Sequence, residues 1–240
     1  MDGTLAYMLS LRSLERQYNR TLREVALKHG LSPDSTQAGL ISQIENTTGG
    51  NLHSSPTWVL SGISGSGKST IVKILQRKGF ERLPNVVTRH RRPEESETDN
   101  RFVDDKTFIE LQRKGELFHP HVTNGVRHAI LKQDIEKLIS GEHLLYLDKS
   151  VSSVLSLLEE YPALRSATFV YLLPPSFETL RERLHGRERS GYRHHALTSE
   201  QILSRLEEEI GQMKQSGNVP YAYVVNDSIE RVKNIIASYL

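Results

Sequence analysis

The 240-residue chain predicts an α/β domain with a parallel sheet, preceded by a small helical segment. Three observations carry that prediction. Short apolar, β-rich runs alternate with helical patterns from Thr57 onward, a glycine-rich loop joins the first such run to the first such helix, and the opening residues show helical periodicity alone. The composition is that of a globular protein, with 37% hydrophobic residues, 31 Lys plus Arg against 29 Asp plus Glu, and no cysteine. Lack of cysteine excludes disulfides, thiol nucleophiles and Cys-containing zinc sites, and it agrees with a reducing, cytoplasmic setting. The longest apolar runs fall far short of the ~18 residues a membrane helix needs. Asp2 and the charges at Arg12, Glu15 and Arg16 argue against a signal peptide. A net charge of +2 gives no general attraction to nucleic acid.

Taken in order, Leu5, Met8, Leu9, Leu14, Tyr18, Leu22 and Val25 recur at three- and four-residue steps and predict a long amphipathic helix stopped by Gly30. A second helix follows, with Ser32 as its N-cap, Pro33 in its first turn and an apolar stripe of Leu40, Ile41 and Ile44. From Asn46 to Pro56 the pattern stops in favour of Thr, Gly, Asn, Ser and Pro, with only Leu52 apolar, which reads as a linker. The division is therefore 1–46 as a helical appendage, 47–56 as linker and 57–240 as the α/β domain. Strands are expected at Trp58 to Leu60, His143 to Leu147, Thr168 to Leu173 and Tyr223 to Val225.

Gly62-Ile63-Ser64-Gly65-Ser66-Gly67-Lys68-Ser69 fills the phosphate-loop (Walker A) pattern G-x-x-x-x-G-K-[ST] at every fixed position, between a strand and a helix. Glycines let successive backbone N–H groups turn toward phosphate oxygens, and the helix N-terminus adds partial positive charge. Gly62, Ser64, Gly65, Ser66, Gly67, Lys68, Ser69 and Thr70 are the nucleotide-binding candidates. Lys68 suits the β and γ phosphates of ATP, and the Ser69 hydroxyl suits Mg²⁺.

Five segments in order then resemble the guanylate kinase family of nucleoside monophosphate kinases across Thr57 to Leu240. They are the phosphate loop; Thr88-Arg89-His90-Arg91-Arg92-Pro93 with Arg101-Phe102-Val103; the strand ending in Asp148; Pro174-Pro175-Ser176 through Arg183 to Gly186-Arg187; and Val224-Val225-Asn226-Asp227. The resemblance implies a P-loop NTPase fold with a five-stranded, mostly parallel sheet, an acceptor-binding insertion near Val87 to Ala129 and a lid near Gly186 to Glu200. It implies transfer of the γ-phosphoryl group of ATP to the phosphate of a small acceptor, a GMP-like nucleoside monophosphate, with Mg²⁺. It assigns Arg89 and Arg92 to the acceptor phosphate and Arg187 and Arg205 to the transferring group. Arg205 fits equally an ordinary helix arginine paired with Glu208 or Glu209. Asp148, ending an apolar run, fits a carboxylate that touches the acceptor or holds Mg²⁺ through water, or one that caps the next turn.

The acceptor pocket departs from the family. Where relatives present two tyrosines, a base-reading glutamate and a serine or threonine, this chain has Asn100, His119, His128 and Ile130. A carboxylate accepts hydrogen bonds from guanine's N–H groups, a task a neutral histidine shares only in part. The acceptor could therefore be a sugar phosphate instead, and a non-catalytic scaffold of the same fold is the remaining alternative, opposed by the intact Lys68 and Ser69. The lid segment carries Arg189 and Arg193 beside Arg187. His90, His119, His121 and His128 lack the spacing of a metal cage. Finally, residues 22–44 resemble a short helix-turn-helix or SAP-type module. Balanced charge and a two-leucine-face core account for that pattern as packing on the kinase or on another subunit, so nucleic-acid binding through residues 20–46 is the weaker reading.

Overall fold

The computed structural model describes residues 3–63, 66–91, 95, 99–123, 125–189 and 198–240. Helices α1 (Gly3–Lys28) and α2 (Gln37–Thr48) lead, and a 3-10 turn over Gly49–Asn51 follows. The stripes seen in the sequence bury in α2 and in the later turns of α1, where Tyr18, Leu22 and Ile44 are 0% exposed and Val25, Leu40 and Ile41 nearly so, whereas Leu5, Met8 and Leu9 at the start of α1 reach past the sheet and stay exposed. Gly30 takes the left-handed conformation (φ 72°) that ends the first helix. The cap of α2 differs from expectation. Thr36, not Ser32, accepts a hydrogen bond from the Gly39 N–H at 3.2 Å, while Ser32 donates to Asp34 within the preceding turn. Reversing direction between two packed helices takes up residues 31–35, so helix can begin only after them.

The α/β body opens with β1 (Thr57–Gly62), α3 (Lys68–Arg77) and β2 (Glu81–Arg82). An inserted layer follows, made of β3 (Asn85–Val87), β4 (Asn100–Phe102), α4 (Asp105–Arg113), β5 (Leu117–Thr123) and β6 (Val126–Leu131). The body resumes with α5 (Lys132–Ser140), β7 (Leu145–Asp148), α6 (Val151–Glu160), β8 (Thr168–Leu173) and α7 (Phe177–Arg189), and closes with α8 (Ser199–Ser216), β9 (Ala222–Val225) and α9 (Ile229–Ala237). Its five strands run in the order β2-β7-β1-β8-β9, every pair parallel. Side chains alternate between two cores. Trp58, Leu60, Val170 and Leu172 meet α3 and α9 through Ile71, Leu75, Val232 and Ile236. Val59, Phe169, Tyr171, Leu173 and Tyr223 meet the opposite layer, to which α1 and α2 contribute Tyr18, Leu22, Ile41 and Ile44. Both faces of the sheet are thus covered, which is why β8 is buried at all six positions. Each large side chain so buried contributes roughly 1.5–3 kcal/mol. The face lent by α1 and α2 is therefore comparable to a domain's whole net stability of about 5–15 kcal/mol.

The edge of the sheet at β9 is covered in an unusual way. Asn51 Nδ2 donates to the Tyr221 carbonyl (3.1 Å), Thr48 Oγ1 accepts from the Tyr223 N–H (3.0 Å), and Glu45 Oε1 accepts from the Val225 N–H (2.7 Å). Three side chains spaced along α2 and its turn thereby occupy the backbone groups that another strand would use. The polar stretch 47–56 is anchored as well: Leu52 is buried and the His53 carbonyl accepts from Thr168 Oγ1 at 2.6 Å.

The inserted layer is a four-stranded sheet in the order β4-β3-β6-β5, with β3 and β4 parallel and the other pairs antiparallel. Arg101 on β4 makes a two-pronged ion pair with buried Asp134 on α5, at 2.9 to 3.2 Å, which ties the layer to the body.

Candidate functional site

The carboxyl ends of parallel strands expose backbone groups and the following loops on one side of a sheet, where ligands bind in such folds. Here that side gathers the loop after β1, Asp148 at the end of β7 and Asn226 after β9. Two glycines in the loop are sterically required. At Gly62 (φ 140°) a Cβ would stand 2.7 Å from the Leu172 carbonyl oxygen of β8, and at Gly67 (φ 98°) it would stand 2.1 Å from Asn226 Nδ2. The same Asn226 nitrogen donates to the Ser66 carbonyl at 2.6 Å. Helix α3 starts at Lys68 with no side-chain cap, which leaves its first N–H groups for an anion. Ser66 Oγ is buried without a hydrogen-bond partner, a further polar group aimed inside the loop. Lys68 Nζ donates to the carbonyls of Gly62 (2.5 Å) and Ile63 (3.4 Å), so it already lies along the loop. Ser69 is exposed on the first turn and Thr70 half-buried. Ser64 and Gly65 lie outside the described residues.

Lys68 and Gly62 share a cavity of about 240 Å³ with Asp148, Lys149, Glu208 and Glu209. Asp148 thus stands across from the phosphate-loop lysine, and its carboxylate and the Ser69 hydroxyl at the start of α3 are two hard oxygen donors. Such a set fits Mg²⁺, which keeps several waters and takes only one or two protein ligands. No group of three or more His, Asp or Glu among the described residues is arranged to cage a metal. Arg205 sits half-buried on α8, one turn before Glu208 and Glu209. Arg187 and Arg189 fall on the last turn of α7, and their side chains, like Arg193, lie outside the described residues.

Lys149 is the residue that sequence reasoning missed. It is partly buried, its Nζ donates to Asn85 Oδ1 on β3, and Asn85 Nδ2 in turn donates to Asn100 Oδ1 at 3.3 Å. Its pKa is lowered to about 8, by burial first and then by Arg82, with Asp148 opposing the change. The signal was present as a lysine placed directly after the strand-ending Asp148. Around it stand the histidines of the inserted sheet. A bulge between Phe118 and His121 sets Phe118 opposite Ile130 and His121 opposite His128; Phe118 and Ile130 are buried in the body's core, His128 is half-buried and His121 exposed. His119, within that bulge, is the one non-glycine residue of positive φ (49°) among the described residues. The rings of His121 and His128 stack at 5.5 Å, and His119 lies 5.1 Å from His121. Burial and then the neighbouring His121 and Lys149 push the pKa of both His119 and His128 below the usual histidine value, with Arg89 adding to the effect at His128. Of the acceptor candidates, the structure therefore brings Arg89, His119, His128 and Asp148 together around Lys149. Arg89 is clasped by the carboxylate of Glu95 and lies over the Phe102 ring at 5.6 Å. Asn100 is placed differently: it lines a larger cavity of about 640 Å³ with Arg82, Asp134 and His143, and reaches Lys149 only through Asn85. Arg92 lies outside the described residues.

A family model described as "Guanylate kinase" matches residues 54–240. The chain belongs to the guanylate kinase family. It is 29% identical over 193 residues to a guanylate kinase from Thermotoga maritima, covering 75% of this chain and 86% of the relative. It is 32% identical over 185 residues to a guanylate kinase from Lactococcus lactis, covering 74% and 85%. A crystal structure of guanylate kinase from Anaplasma phagocytophilum shares the fold, with a TM-score of 0.53 at 20% identity over 78% of this chain and 84% of that one. Against the guanylate kinase match, α1 and α2 lie before the matched residues. No helix among the described residues is long and apolar enough to cross a membrane.

Proposed function

We propose that the chain transfers the γ-phosphoryl group of ATP to the phosphate of a nucleoside monophosphate of the GMP type, in the cytoplasm and with Mg²⁺ held by Ser69 and Asp148. The observation that carries this reading is the meeting of Lys68 and Asp148 across one cavity, with Arg89, His119, His128 and Lys149 behind it. Joining two polyanions in line is a task of positioning and charge neutralisation. Lys68 and the uncapped start of α3 hold the donor phosphates; Arg89, with Arg92, holds the acceptor; Arg187, Arg205 and their lid neighbours cover the transferring group. Bound Mg²⁺ supplies further neutralisation of the phosphate oxygens. An acceptor phosphate is already anionic at neutral pH, so no side chain has to remove a proton from it.

Lys149 and the neutral histidines favour a second reading of the acceptor. They offer donors where guanine requires acceptors, which suits an acceptor rich in oxygen, such as a sugar phosphate. The test is ADP release from Mg-ATP over nucleoside monophosphates and sugar phosphates, with Lys68→Ala as the blank. Lys68-dependent turnover with GMP supports the first reading, turnover with sugar phosphates alone supports the second, and turnover that survives Lys68→Ala refutes both.

A further inference from the structure

Helix α2 precedes the family match, which begins at residue 54, yet its side chains reach the frame of the phosphate loop. The connection runs through the end of β9. Glu45, whose side chain is only 13% exposed, accepts from the Val225 N–H with one carboxylate oxygen and binds Arg231 with the other. Arg231 Nη1 donates to the Val225 carbonyl at 2.9 Å, so both polar groups of Val225 are gripped by one ion pair. Asn226 comes next in the chain. Its N–H donates to the Leu173 carbonyl (2.9 Å), its carbonyl accepts from Arg183 (2.8 Å), and its side chain holds the Ser66 carbonyl against Gly67. The 2.1 Å separation between Asn226 Nδ2 and a Cβ placed on Gly67 shows how little room that contact has. A shift of β9 by a fraction of an ångström must move the loop or break the hydrogen bond.

From this geometry we infer that Glu45 is a positioning residue of the nucleotide site. It fixes Val225, Val225 fixes Asn226, and Asn226 keeps the phosphate loop in its binding shape. The leading helices then serve the site as well as the core. Thr48 provides the internal control, because it bonds the Tyr223 N–H of the same edge but one residue pair further from the loop. The inference rests on the reading of the loop as an ATP site, and the experiment separates the two.

Mg-ATP affinity is measured by calorimetry on the full chain, without any acceptor, beside the melting temperature. Glu45→Ala and Asn226→Ala are each expected to weaken Mg-ATP about tenfold, the size of one charge-assisted hydrogen bond. The double variant should lose little more than either single one, since both break the same chain of contacts. Glu45→Gln keeps an acceptor for Val225 but loses the ion pair, and should fall between. Thr48→Ala should lower the melting temperature and leave affinity unchanged. Unchanged affinity in Glu45→Ala, or fully additive losses with Asn226→Ala, would overturn the inference while leaving the ATP site standing. A wild-type chain that binds no Mg-ATP would overturn both.

Discussion

On the nucleotide side of the cleft, the groups that face a ligand are backbone N–H groups, one lysine and a few hydroxyls, held on a loop that two glycines and Asn226 shape. On the side proposed for the acceptor they are side chains, Arg89, His119, His121, His128 and Lys149, carried by the inserted layer and the residue after β7. The first kind of site is constrained by sterics, since a Cβ at Gly62 or Gly67 collides with backbone or with Asn226. The second is set by the identity of its side chains rather than by backbone room. Family membership therefore speaks most directly for the donor half, and the acceptor half needs its own chemistry read residue by residue.

Four variants would break or sharpen that contrast. Lys68→Ala should lower turnover on the order of 10³-fold with every acceptor, and change unfolding stability by no more than about 0.5 kcal/mol. Steady-state rates and urea melts check it, and loss confined to one acceptor would blur the division between the two sides. Gly67→Ala should weaken Mg-ATP roughly 10- to 100-fold, reflecting about 1–3 kcal/mol of backbone strain and contact, with the acceptor KM unmoved. Lys149→Met should act in the opposite sense, raising the acceptor KM about tenfold and sparing ATP, as expected for one lost charged hydrogen bond. It should also stabilise the fold by about 1 kcal/mol at pH 7, because a buried ammonium is removed. The native pKa, about 8, lies below the ordinary 10.5. Native protein sheds this proton before unfolded protein does, so wild-type stability should climb above pH 8 and close the gap with the variant. Equal melting curves at pH 7 would remove that account of Lys149.

The smallest effect concerns the histidines. His119 and His128 are pushed below their ordinary value of 6.5, so the unfolded chain takes up these protons first as pH falls. Stability should then drop as the medium becomes more acidic than about pH 6.5. The loss should be shallower in the His119→Asn, His128→Asn double variant, and parallel melting-temperature profiles for the two proteins would contradict it. In the same range the acceptor KM of the wild type should change while the ATP KM stays flat.

Much of the fold was legible in the sequence because its periodicities are strong. The stripes of α1 and α2, the phosphate loop with its flanking strand and helix, and β7, β8 and β9 all lie within a few residues of where the pattern sets them. What the pattern could not convey was relation across distance. Ser32 with Pro33 has the local chemistry of a helix start, yet the turn between two packed helices moved the cap to Thr36. The polar stretch after α2 reads as linker because its bonds go to Tyr221, Tyr223 and Thr168, more than a hundred residues away. Lys149 was passed over because a lysine beyond a strand is ordinarily solvated, and only the fold turns it toward Asn85. Arg89, His119 and His128 were singled out as acceptor residues, and the bulge that gathers the histidines leaves no periodic trace in the sequence.

The covered edge at β9 also bears on how the chain is made. Residues 45, 48 and 51 leave the ribosome 170 to 180 residues ahead of their partners at 221, 223 and 225. Until then α1 and α2 lack the strand edge they cover, and a nascent chain must carry part of their apolar face while the intervening residues are made. Emergence of β9 joins these distant segments, so a stop just short of β9 would leave the first helices without the edge they cover.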